Sequence, residues 1–114
     1  MKGWVAIIPA SGKRGRFYRT TKPLSLKRAQ AIVGGYVEPV PGWDYVTHEG
    51  KRWHALALCN EDGKGGRGKA DPGQPVNKLA TKLWWSACGG PHGDYLVGTV
   101  LVMFGPVHFQ DGGW

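Results

Sequence analysis

The chain has 114 residues, 41% of them apolar and six of them Trp, enough to bury one modest core and short for a two-lobed enzyme built around a deep cleft. Its formal charge of +7 is carried wholly by residues 1–37, which hold eight Lys and Arg and no acid, whereas from Glu38 onward seven basic residues meet eight acidic ones. Two cysteines, Cys59 and Cys88, exclude a disulfide framework, and no stretch approaches the ~18 apolar residues of a membrane span.

Taken in chain order, "WVAII" (4–8) is a short run with β-branched residues closed by Pro9, which predicts a strand rather than the core of a signal peptide. Residues 11–23 mix Gly, Ser, Thr, Pro and charge and form a basic loop or a β-ribbon. "LSLKRAQAIVGG" offers Ser25 as an N-cap, Leu26, Ala29, Ile32 and Val33 as a buried stripe, and Gly34-Gly35 as a stop. That spacing leaves Lys27 and Arg28 solvated. "YVEPV" and "WDYVTHEGKRWHALALCN" are strands, the second turning at Glu49-Gly50. On its later half Trp53, Ala55, Ala57 and Cys59 share one face, and His54, Leu56 and Leu58 the other, so both faces call for cover and the strand is central.

The polar Gly/Pro segment 62–75 is a loop. Asn77 caps a second helix, with Leu79, Ala80, Leu83, Trp84 and Ala87 as its expected buried stripe. "YLVGTVLVMF" is the strongest strand. The predicted architecture is a single α+β domain over residues 1–114, a small, mostly antiparallel sheet with two short helices in β-α-β-β-α-β order, both helices able to lie on one face. Val5, Ile7, Leu56, Leu58, Leu83, Val100 and Val102 are its expected core.

Several stretches imitate chemistry. "GKGGRGKA" (63–70) falls one residue short of a phosphate-binding P-loop, with Ala70 where the Mg²⁺-holding hydroxyl belongs. Asp71-Pro72-Gly73 follows and breaks the helix such a loop must enter, so the motif is rejected, although Lys64, Arg67 and Lys69 remain able to touch an anion. His48, His54, His92 and His108 have no ligand-like spacing, Cys59 and Cys88 are expected on apolar faces, and Glu61-Asp62 precedes a glycine turn. No catalytic residue, metal site or cofactor emerges. Trp85, beside the basic flank of Lys78 and Lys82, either covers the sheet edge or anchors a partner.

Four stretches, "AIVGGYVEPV" (31–40), "LCNEDGK" (58–64), "VNKLATKLW" (76–84) and "DYLVGTVLVM" (94–103), occur in this order. Together they resemble a family found mainly in phages, plasmids and actinobacteria and catalogued as domain of unknown function 3846. The family pattern falls on Val33-Gly34-Gly35-Tyr36-Val37-Glu38, on Asn60-Glu61-Asp62-Gly63, on Asn77 with Ala80-Thr81, and on Val97-Gly98-Thr99-Val100. The match spans roughly residues 24–104; the basic segment and the tail lie outside it, and the Gly-rich loop is longer than the pattern. The resemblance implies a phage origin and a compact α+β fold, and supplies no catalytic residue; the lack of a disulfide framework fits a reduced cytoplasm, that of a bacterial host.

Segment 11–22 interleaves Lys13, Arg14, Arg16, Arg19 and Lys22 with Phe17 and Tyr18. Arginine pairs with phosphate and aromatic faces stack on bases, so this composition predicts a surface for nucleic acid or a nucleotide, joined by Lys64, Arg67 and Trp85. A non-enzymatic binder of a phosphate-bearing ligand is the first expectation. A module that inhibits or redirects a host enzyme is the second. A small hydrolase has the least support, for lack of clustered acids.

Overall fold

The computed structural model describes residues 1–10, 14–62, 74–110 and 114. Strand β1 (Gly3–Ile8) is flanked by β2 (Arg16–Thr20) on one side and β6 (Val100–Phe104) on the other. The sheet continues through β5 (Lys51–Asn60), whose far edge is shared. There β4 (Tyr45–His48) pairs with its first residues and β3 (Val37–Pro39) with its last. The strand path is β2-β1-β6-β5-β3 and every pairing is antiparallel. With helices α1 (Leu26–Val33) and α2 (Lys78–Ala87), this is a small α+β fold.

Local chemistry sets most element ends. Ser25 accepts Arg28 N–H at 3.1 Å to open α1, and Gly34 closes it at φ +83°, a left-handed geometry that glycine takes without steric cost. The β4–β5 hairpin turns on Glu49 and Gly50, both at positive φ, as the twist of a two-residue hairpin demands.

The element order nevertheless differs from expectation. Residues 16–20 form a strand, so the chain runs β-β-α-β-β-β-α-β. The predicted strand from Tyr95 is cut by Gly98 at φ +68°, and only Val100–Phe104 remains in the sheet; Val97 makes an isolated bridge to Val76 instead.

The helices also lie on opposite faces of the sheet, not on one. Ala29 and Val33 of α1 pack with Val5, Leu58, Leu101 and Met103, whereas Ala80 and Trp84 of α2 pack with Trp4, Ala55, Ala57, Val100, Val102 and Phe104. The reason is that β1, β5 and β6 are apolar on both sides, so each face needs cover. Of the expected core, Val5, Leu58, Val100 and Val102 are buried, and Ile7 and Leu56 are half-buried against the α1-side cluster.

Leu83 is the exception, 43% exposed, and Leu79 and Ala87 of the expected stripe are exposed with it. The rotation of α2 is set at its first residue. Asn77 Oδ1 accepts Ala80 N–H at 3.0 Å, and its amide donates to Ile8 O and Gly98 O, each at 2.8 Å. This tie turns Ala80, Thr81 and Trp84 inward and leaves the leucines on the flank.

A 3₁₀ turn over Pro106–Phe109 carries the fully buried His108. Its Nε2–H donates to Trp4 O at 3.2 Å and its Nδ1 accepts Leu24 N–H at 3.4 Å, a pairing that requires the neutral ring. Burial pushes its pKa below the usual 6.5, against the smaller, raising effect of the Trp4 bond. The unfolded chain therefore takes up this proton first as pH falls. The stabilisation is complete above 6.5 and is lost as pH drops toward the lower folded value. Melting temperature is expected to decline as pH falls below 6.5, with a flatter decline in His108→Gln by circular dichroism. An equal slope in the variant would assign the pH dependence to other groups.

Candidate functional site

The alternation of β2 divides the basic segment between two faces. Phe17 and Arg19 stand opposite Ala6 and Trp4 and so project to the α2 side, whereas Arg16 and Tyr18 stand opposite Ile7 and Val5 and project to the α1 side. Tyr18 packs on the α1-side core, and the Arg16 guanidinium lies 5.9 Å from its ring centroid.

On the α1 side the sheet edge and the helix form a groove. Arg14 and Arg16 line it from the β2 hairpin and Arg28 from the first turn of α1, over a floor that includes Ile7, Pro9 and Ile32, around a cavity of about 310 Å³. The lining contains no carboxylate, and among the described residues none of the three arginines forms an ion pair. Three exposed guanidiniums over an apolar floor hold a positive potential that no neighbouring acid cancels. Each offers a planar fork of donors that suits a phosphate oxygen pair.

Lys27 and Arg28 are both exposed, as expected, and Arg28 additionally lines the groove. Its position off the apolar stripe of α1 was legible; that this flank faces the β2 edge depends on how the helix docks. Lys22 lies past the end of β2, where Thr20 Oγ1 accepts its backbone N–H at 3.1 Å. Lys13, Lys64 and Arg67 lie outside the described residues. Trp85 sits elsewhere: it is half-buried against the α2-side core, and its indole N–H donates to Asp94 O at 2.8 Å.

No family model, curated protein or solved structure matches this chain. The stretches that carry the sequence resemblance instead have roles in the fold itself. Asn60 donates from its amide to Val33 O at 3.3 Å and accepts Asp62 N–H at 2.8 Å, which fastens the end of α1 to the end of β5. Thr81 Oγ1 accepts Leu96 N–H at 2.9 Å. With Asn77 bonded as described, these polar side chains hold backbone that no regular ladder pairs.

Glu38 and Glu61 differ, because they line a narrow cleft of about 110 Å³ together with Asp94 and Trp84. Among the described residues no three His, Cys, Asp or Glu side chains converge as a metal site would need. Cys88, expected on an apolar face, is exposed at the C-cap of α2, with its thiol directed at Pro41 O. No helix among the described residues is long and apolar enough to cross a membrane.

Proposed function

We propose that this protein binds a phosphate-bearing ligand, a nucleic acid or a nucleotide, in the groove between β2 and α1, and that it does so as a binder rather than a catalyst. One observation carries the reading: Arg14, Arg16 and Arg28 converge from two elements on a groove whose lining holds no carboxylate. Bringing three like charges together without acids is unfavourable in the free protein, and an anionic ligand relieves that repulsion on binding. The apolar floor strengthens each contact by excluding water from one side. The resemblance to domain of unknown function 3846 adds a setting to the proposal, that of a phage-type accessory protein in the cytoplasm of a bacterial host.

Purification at low and at high salt, reading the ratio of absorbance at the nucleic-acid and protein maxima together with eluted mass, separates the two ligand types. Nucleic acid that co-purifies and is stripped by salt assigns a polymer, since each neutralised phosphate releases counterion. A small nucleotide retained at fixed stoichiometry assigns a single pocket. Absence of both, with no binding of oligonucleotides or nucleotides at low salt, overturns the proposal.

A further inference from the structure

On the opposite face of the sheet, α2 leaves a lane uncovered. Strands spaced about 4.8 Å apart make the β2-to-β3 path about 19 Å wide, and one helix covers about 10 Å of it. Anchored through Trp84 Nε1–H to Pro41 O beside β3 and through Asn77 to the end of β1, α2 crosses the sheet obliquely, and the open part lies over Ala6 and Ile8 of β1 and Val102 and Phe104 of β6. Its walls are Leu79 and Leu83 of α2 on one side and, on the other, Phe17, 55% exposed, with β4 closing in beside it through His48, whose ring lies 5.4 Å from that of Phe17. Ala6, Val102 and Phe104 form the floor. Two cavities of about 510 and 530 Å³ adjoin along it and share Ile8.

Such an apolar strip on an otherwise polar surface marks a contact region, and its charge indicates what fills it. Arg19 projects from β2 on the same face as Phe17. Lys2 reaches over the Trp4 ring at 5.7 Å, beside the His48 and Phe104 rings that close one end. Lys82 lies one step round α2 from Leu83. Strands β1 and β2 and helix α2 contain no Asp or Glu. The acid at the closed end, Glu49, is held 3.5 Å from His48.

We propose that this lane docks an amphipathic helix of a partner protein, its apolar side seated between Leu83 and Phe17 and its flanks rich in Asp and Glu. Leu79 and Leu83 stand one turn apart on α2 and give an apolar edge that two turns of a docked helix can follow. A second copy of this chain is disfavoured as occupant because it would set one basic rim against another.

A display library of helices of about 15 residues, apolar on one side and with Glu, Gln and Lys mixed on the flanks, is selected against the full chain. Enrichment of Glu on the flanks is expected. The enriched peptide should bind at least about tenfold more weakly to Leu83→Asp, which places a carboxylate in the apolar contact, while Arg19→Glu should shift selection toward Lys. Leu83 is partly exposed, so its variant should keep the wild-type melt; Leu79→Asp repeats the test if it does not.

Failure to enrich any peptide, enrichment of Gln or Lys flanks, or affinity indifferent to both Asp variants overturns the proposal. So does a dimer that Leu83→Asp splits, which gives the lane to a second copy, or an oligonucleotide affinity that falls in Leu83→Asp, which gives it to nucleic acid. Neither result depends on Arg14, Arg16 or Arg28, so the lane and the arginine groove stand or fall separately.

Discussion

Replacing Arg14, Arg16 and Arg28 together with Ala is expected to weaken binding of a single-stranded oligonucleotide by roughly 100-fold at low salt. Three charge-assisted contacts worth about 1 kcal/mol each sum to about 3 kcal/mol, or roughly two powers of ten in affinity. The same variant should flatten the dependence of log affinity on log salt by about 2 to 3, because each lost contact leaves one counterion unreleased. Arg19→Ala, on the other face of β2, should have a much smaller effect despite being the same change of charge in the same strand. Stability should not fall, since none of the three guanidiniums forms an ion pair among the described residues and their removal relieves repulsion. Fluorescence anisotropy over a salt series reads both quantities. A triple variant with the affinity and slope of wild type, or an Arg19 variant just as impaired, removes the groove from the binding reaction. For a small nucleotide, the corresponding loss is of the thermal shift that the ligand produces.

Asn77→Ala is expected to be the most damaging single change away from that groove. It removes the cap of α2, worth about 1 kcal/mol, and leaves Ile8 O and Gly98 O without their donor, at about 1–3 kcal/mol for a buried carbonyl. The total over the cap and both carbonyls, about 3–7 kcal/mol, is a large share of the stability of a domain this size and should lower the melting temperature by more than about 10 °C. Asn77→Ser separates the two contributions, because the hydroxyl keeps the cap but is too short to reach both carbonyls. It should recover about 1 kcal/mol and no more. A serine variant as stable as wild type would show that the tie to β1 and Gly98 contributes nothing. A further consequence concerns the docking lane. If Asn77 sets the rotation of α2, its loss should also let Leu83 move inward, which fluorine labelling at that position would detect.

Features with local causes are readable from the order of residues alone. Ser25 and Asn77 as caps, Gly34 as a stop and Glu49-Gly50 as a turn follow from hydrogen bonds and backbone freedom within a few residues. The two-faced apolar pattern of residues 53–60 likewise accounts for β5 lying inside the sheet with cover on both faces. The polar side chains of Asn60, Asn77 and Thr81 could be picked out in the chain, but their partners, Val33 O, Ile8 O and Leu96 N–H, could not.

What the tertiary structure alone decided concerns relations between distant elements. The arm of residues 14–20 carries no clear strand period in its composition, since Phe17 and Tyr18 are adjacent and the charges fall at 14, 16 and 19. Only pairing with β1 makes it a strand and sends Phe17 and Tyr18 to opposite sides. Arg28 joins Arg14 and Arg16 because α1 docks beside that edge, and no feature of residues 25–34 encodes where the helix lands. The outward turn of Leu83 has the same origin. Helical spacing grouped it with Trp84, but the amide of Asn77 reaches 69 residues back along the chain to Ile8 O, and that bond fixes which side of α2 meets the sheet. Periodicity specifies that a helix has an apolar stripe; where the stripe is centred depends on the strongest polar anchor, which packing brings within reach.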